Sequence, residues 1–90
     1  MKPEQTKAEI LAALCALAAK QVGLDAQTVA PESDLFTDLN FDSLDAVEFV
    51  MKIEEEFDVS IDDRSAENVR TPRQALALLM MRLESQGTTA

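Results

Sequence analysis

Between positions 43 and 57 the apolar residues recur at helical intervals. Ala46, Phe49, Val50, Ile53 and Phe57 fall at i, i+3, i+4, i+7 and i+11, which puts all five on one face of a helix. A second apolar row, Leu44, Val47 and Met51, occupies a different face at i, i+3 and i+7 and is bordered by Asp45, Glu48, Glu54 and Glu55. The first row anchors the helix in a core. A chain of 90 residues encloses only one such core, and the second row has no evident partner inside it.

The remaining chain supplies helices for that core to pack against. "EQTKAEILAALCALAAKQVG" reads as a first helix from about 5 to 22, with Ile10, Leu14, Leu17 and Ala18 at helical spacing, Leu11 widening the stripe and Gly23 as the stop. A long connection follows over 23–41. It carries Leu24, Val29, Leu35, Phe36 and Leu39, so it is expected to fold over the core, with "DLFTDL" making a helical turn. "FDVSI" alternates like a strand, but a lone strand has nothing to pair with; it is read as an extended connector with Val59 and Ile61 tucked inward. Asp62 or Asp63 caps a short third helix to about Asn68, burying Ala66 and Val69. Thr71 and Pro72 open a last helix over about 72–84, with Ala75, Leu76, Leu79 and Leu83 facing inward. The expectation is a single all-α domain, a four-helix bundle with three main helices, one short helix and a long first loop. Residues 5–84 are its ordered part and 85–90 a polar, flexible tail.

Charge narrows the partners. The net charge is −9, and residues 32–67 alone hold 13 acidic side chains against Lys52 and Arg64. Such a field repels nucleic acid and anionic membranes and attracts basic protein surfaces. No apolar run is long enough to span a bilayer, and the polar start "MKPEQTKAE" lacks a signal-peptide core. One cysteine forms no internal disulfide. A cytoplasmic monomer without membrane insertion is expected.

The chain is poorly equipped for catalysis. It has no histidine, which removes the common general base, the Ser–His–Asp arrangement and the usual zinc ligands. Asp34, Asp38, Asp42 and Asp45 do not follow the calcium-loop spacing, so no dedicated metal site is expected. Cys15 lies among leucines without a basic neighbour and reads as a small buried hydrophobe. That leaves Ser43, in "FDSLDAVEF". It is either the N-cap of its helix, for which serine is favoured, or a reacting group. Lys52 is nine residues further on and out of reach. If Ser43 reacts, a partner must activate it, and the chain is a substrate rather than a catalyst.

"DLFTDLNFDSLDAVEFVMKIEEEFDVSI" resembles the central segment of acyl carrier proteins, in which aspartate–serine–leucine opens an acidic second helix; the similarity is strongest over about 34–69. The resemblance implies that Ser43 accepts a 4′-phosphopantetheine arm from coenzyme A through a separate phosphopantetheinyl transferase, which brings its own Mg²⁺. The arm would then carry acyl thioesters between enzymes of fatty-acid, polyketide or related lipid synthesis. Asp42, Leu44, Asp45, Val47, Glu48, Met51, Glu54 and Glu55 match family positions that meet the basic and apolar surfaces of acyl transferases, ketosynthases or acyl ligases. This gives the second apolar row an occupant. A phosphodiester on Ser43 would lie near the positive end of the helix dipole, and Phe49, Ile53, Val59, Ile61, Ala66 and Val69 are candidates to line a shelter for the acyl chain.

Three positions depart from the family pattern. Asn40 replaces a usual glycine but tolerates left-handed backbone angles, Phe41 is larger than the usual small aliphatic residue, and Asp62 replaces a frequent proline. With Pro72 opening the last helix and no tyrosine after it, they point to a dedicated pathway rather than the housekeeping one. Two other readings stand beside this. An aminoacyl or peptidyl carrier would have a glycine-rich stretch before the serine, which "LNFDSL" lacks. An unmodified acidic helical adaptor would leave Ser43 free.

Overall fold

The first helix, α1 (Lys7–Gln21), begins where Thr6 and Glu9 close a capping box. The Glu9 amide donates to Thr6 Oγ1 (3.1 Å) and the Thr6 amide to Glu9 Oε1 (2.9 Å). It ends in a Schellman motif around Gly23, whose φ of 74° favours glycine. There the Leu24 amide reaches the Ala19 carbonyl (2.8 Å) and the Gly23 amide that of Lys20 (3.2 Å). The structure, a computed structural model, describes residues 6–87. The expected start of the helix near residue 5 lies outside them.

After a 3₁₀ turn (Ala26–Thr28) the chain forms α2 (Ser43–Phe57), then the short α3 (Asp63–Glu67) and α4 (Pro72–Gly87). The all-helical bundle and the boundaries of α2 match expectation. The last helix runs three residues beyond the expected end at 84, while residues 88–90 lie outside the description. Thr71 caps α4 through the Gln74 amide (3.1 Å), and Asp62 caps α3 through that of Ser65 (3.2 Å). The connector between α2 and α3 leaves α2 through the left-handed Asp58 (φ 56°) and forms no strand among the described residues, with Val59 and Ile61 buried. No helix among the described residues is long and apolar enough to cross a membrane.

The core forms where α1 packs against α2 and α4. Leu14, Leu35, Phe49, Ile53 and Leu79 are among its fully buried side chains, each worth about 1.5–3 kcal/mol of transfer free energy. Cys15 is buried there, and burial pushes its thiol pKa up. The 23–41 connection is strapped to the α3–α4 junction. The Leu35 amide donates to the Arg70 carbonyl (2.7 Å), the Arg73 amide to that of Pro31 (3.0 Å), and Arg73 pairs with Glu32. Val29, Leu35, Leu39 and Phe41 are buried and Phe36 half-buried, but Leu24 stands exposed. It directly follows the Schellman glycine, and the chain leaves the core there.

Candidate functional site

The serine expected as a possible cap is not the cap. Asp42 takes that place: its Oδ1 accepts from the Asp45 amide (2.8 Å), and Asp45 Oδ2 accepts from the Asp42 amide (3.1 Å). A capping side chain must come from the extended residue before the first turn. Asp42 has that backbone (φ −103°, ψ −176°), whereas Ser43 is already helical. Ser43 is exposed with no capping duty for its hydroxyl, and the chain has no histidine to ionise it. Among the described residues, the amides of Ser43 and Leu44 have no protein acceptor. They give an anion on Ser43 two donors at the positive end of α2.

The turn feeding Ser43 into this position depends on Asn40, whose φ is 61°. Asparagine holds the left-handed conformation that the sequence departure required. Phe41 then turns inward instead of crowding the serine. It is buried, with its ring edge-to-face on Phe49 (5.8 Å, 81°) and on Phe36 (6.4 Å, 77°).

Beside Ser43 a cleft of about 490 Å³ runs between α2 and α3. One side is formed by Ser43, Ala46, Val47, Val50, Met51 and Glu54, the other by Ile61, Asp63, Ala66 and Glu67, with Phe36 at the edge. Of the six side chains expected to line it, Ile61 and Ala66 do. Phe49, Ile53, Val59 and Val69 are buried in the core instead. Successive residues of a helix point about 100° apart, so Val50 faces α3 while its neighbour Phe49 faces inward.

The expected partner-facing residues divide into two groups. Leu44, Val47 and Met51 are 62%, 52% and 51% exposed, an apolar row left uncovered by the fold. Asp42, Glu48 and Glu55 are exposed with them. Asp45 and Glu54 are half-buried and committed inward. Glu54 Oε2 accepts from the Ile61 amide (2.7 Å) across the cleft that both residues line. Asp45 is bound by its capping box and by Gln21 of α1, whose Nε2 donates to Asp45 Oδ1 (3.2 Å) and Glu48 Oε1 (2.7 Å). The Asp42 amide, and after it the Gln21 side chain, hold the Asp45 carboxyl below its ordinary pKa. Gln21 Oε1 is left buried without a partner; the opposite rotamer would set it against two carboxylates. Sequence reasoning did not find Gln21, Phe36 as a cleft wall, or Arg70 beside it. Gln21 and Arg70 find their partners 24 and 36 residues away, beyond any local pattern.

Comparison with known proteins gives this geometry a family. A family profile described as the phosphopantetheine attachment site matches residues 12–79. The chain is 44% identical over 70 residues to an acyl carrier protein of Thermosynechococcus vestitus, covering 78% of this chain and 86% of that one. It is 44% identical over 64 residues to an acyl carrier protein of Helicobacter hepaticus, covering 71% and 84%. The crystal structure of an acyl carrier protein from Thermotoga maritima superposes with a TM-score of 0.76 at 27% identity, over 94% of this chain and 99% of that one. An exposed serine beside an apolar cleft suits a covalent pantetheine arm, and at this similarity the chain belongs to the acyl carrier protein family, carriers rather than enzymes, with 4′-phosphopantetheine as their covalent group.

Proposed function

We propose that Ser43 is the attachment point of the 4′-phosphopantetheine arm. The observation that carries this reading is an exposed, unactivated hydroxyl at the first residue of α2, freed from capping by Asp42 and opening onto the cleft. In the transfer, Ser43 Oγ forms the new bond to phosphorus, the pyrophosphate bond of coenzyme A breaks, and the nucleotide half leaves. The hydroxyl proton goes to a base on the transferase, since this chain has none at hand. The free amides of Ser43 and Leu44 then face the phosphodiester, partly offsetting Asp42 and Asp45.

The exposed row of Leu44, Val47 and Met51, flanked by Asp42, Glu48 and Glu55, is the docking surface for partners with basic, partly apolar patches. These are the phosphopantetheinyl transferase and the acyl transferases, ketosynthases or acyl ligases that load and unload the arm. Complementary charge of this kind raises association rates and sets orientation, while the apolar row supplies area that only a partner covers. Asp45 and Glu54 contribute through the field and by holding the surface in shape. The cargo is an acyl group of fatty-acid, polyketide or related lipid synthesis, sheltered between α2 and α3. Asn40, Phe41 and Asp62 favour a dedicated pathway.

The test is incubation with coenzyme A, Mg²⁺ and a promiscuous transferase, followed by intact-mass measurement. One pantetheine addition that disappears in Ser43→Ala is expected. An unchanged mass overturns the assignment and leaves the adaptor reading; an addition that survives the substitution overturns Ser43 as the attachment point.

A further inference from the structure

Within the cleft beside Ser43, Glu54 holds the Ile61 amide (2.7 Å). Phe36, which belongs to neither cleft helix, supplies a wall from the turn after Asp34. Its ring lies edge-to-face on Phe41, which is itself locked against Phe49 in the core. The Arg70 guanidinium covers it, 5.1 Å from the ring centroid. Arg70 is fixed in turn by Asp34, through Nε (3.1 Å) and Nη2 (3.2 Å). Asp34 is held by the amides of Phe36 and Thr37, both at 2.9 Å. Phe41 and Arg70, the two groups set against the ring, are both tied down elsewhere, and a half-buried phenylalanine becomes a fixed wall.

We propose that Phe36, held in place by Arg70, sets how much acyl chain the cleft shelters. The inference rests on the reading of Ser43 as the attachment point. With the ring fixed, apolar cargo is confined between α2 and α3. Removing the ring adds its vacated volume to the cleft and lets more methylenes leave water. Arg70 is a positioning residue in this scheme, acting through the ring alone.

The experiment loads the apo protein with acyl-pantetheine arms from a straight-chain acyl-coenzyme A series, butanoyl to hexadecanoyl. Thioester cleavage by hydroxylamine is then timed for each length in wild type, Phe36→Ala, Phe36→Leu and Arg70→Gln. Each methylene that gains shelter raises the protected population up to about fourfold. In wild type, protection is expected to climb with length and level off. In Phe36→Ala the plateau moves to longer chains, in Arg70→Gln it moves the same way by less, and in Phe36→Leu it stays near wild type. A folded Phe36→Ala protein with the wild-type profile overturns the proposal. If that variant fails to fold, a wild-type profile in Arg70→Gln overturns it equally. A chain that accepts no arm at all overturns the Ser43 reading and this inference together, whereas normal loading with coincident profiles overturns this inference alone.

Discussion

Replacing Glu54 with alanine pits two opposed effects against each other. Glu54 sits in the most acidic part of a chain of net charge −9, with Asp58 one turn beyond it. Removing its charge relieves like-charge repulsion, worth about 0.2–0.5 kcal/mol for a pair at this spacing. The same carboxylate, however, accepts the amide of Ile61 at 2.7 Å, and Ile61 is buried. A hydrogen bond to a charged acceptor contributes about 1.5–3 kcal/mol, and stripping the acceptor leaves the amide unsatisfied. The hydrogen bond wins, by about 1–2.5 kcal/mol. For a domain of this size that lowers the melting temperature by roughly 5–15 °C. Glu54→Gln keeps an acceptor and loses only the charge assistance, so its loss is less than about 1 kcal/mol. Thermal unfolding by circular dichroism at neutral pH ranks the three proteins, and amide hydrogen exchange at Ile61 reports the bond itself. Protection is expected in wild type and the glutamine variant and is lost in the alanine variant. A Glu54→Ala protein that melts at or above wild type, or equal Ile61 protection in all three, would mean that the Glu54–Ile61 hydrogen bond does not stabilise the fold.

At Asn40, where φ is 61°, substitution by glycine is expected to be nearly neutral in thermal unfolding, while valine costs about 1–2 kcal/mol because its branched side chain resists the left-handed region. The carboxyl of Asp62 is pulled down to about 2, chiefly by the Ser65 hydroxyl and amide, with Arg82 assisting; Asp34 is lowered by the Thr37 and Phe36 amides and Arg70. Folded values below the unfolded one mean stability that is complete above about pH 4 and lost as pH falls towards about 2. Acid titrations followed by circular dichroism should therefore show a shallower loss over that window in Asp62→Asn, with the difference reduced by salt because the group is exposed. On the proposed docking face, Glu48→Lys or Met51→Ala should lower kcat/KM for handover to a partner enzyme by about tenfold or less while leaving helicity intact; an unchanged kcat/KM in both variants would count against docking there.

Local rules carried much of this protein. The spacing of Phe49, Val50, Ile53 and Phe57 determined both ends and the buried face of α2, because a helix places residues three and four apart on one side whatever lies around it. Thr71 and Pro72 likewise marked the start of α4, while the left-handed turn at Asn40 was expected from the family resemblance, where a glycine is usual, and asparagine tolerates that geometry. Ser43 was legible as the candidate site because its motif is contiguous and the chain contains no histidine to act as a base of its own. The exposed row of Leu44, Val47 and Met51 was legible for a similar reason, since nothing else in so short a chain was available to cover it.

Tertiary structure decided what depends on distant segments. Whether Asp42 or Ser43 caps α2 turned on one residue's backbone angles, and either side chain satisfies the sequence preference. The cleft takes Val50 rather than Phe49 because α3 packs on one side of α2, a matter of rotation that periodicity leaves open. Asp45 and Glu54 belong to the acidic face in the sequence, yet Gln21 and the Ile61 amide draw them inward. The wall at Phe36 exists only because the chain brings Arg70 across 36 positions to Asp34. Helical periodicity is a property of neighbours and can be read from them, whereas a wall, a clamp or a cleft is made by segments that meet only once the core has closed.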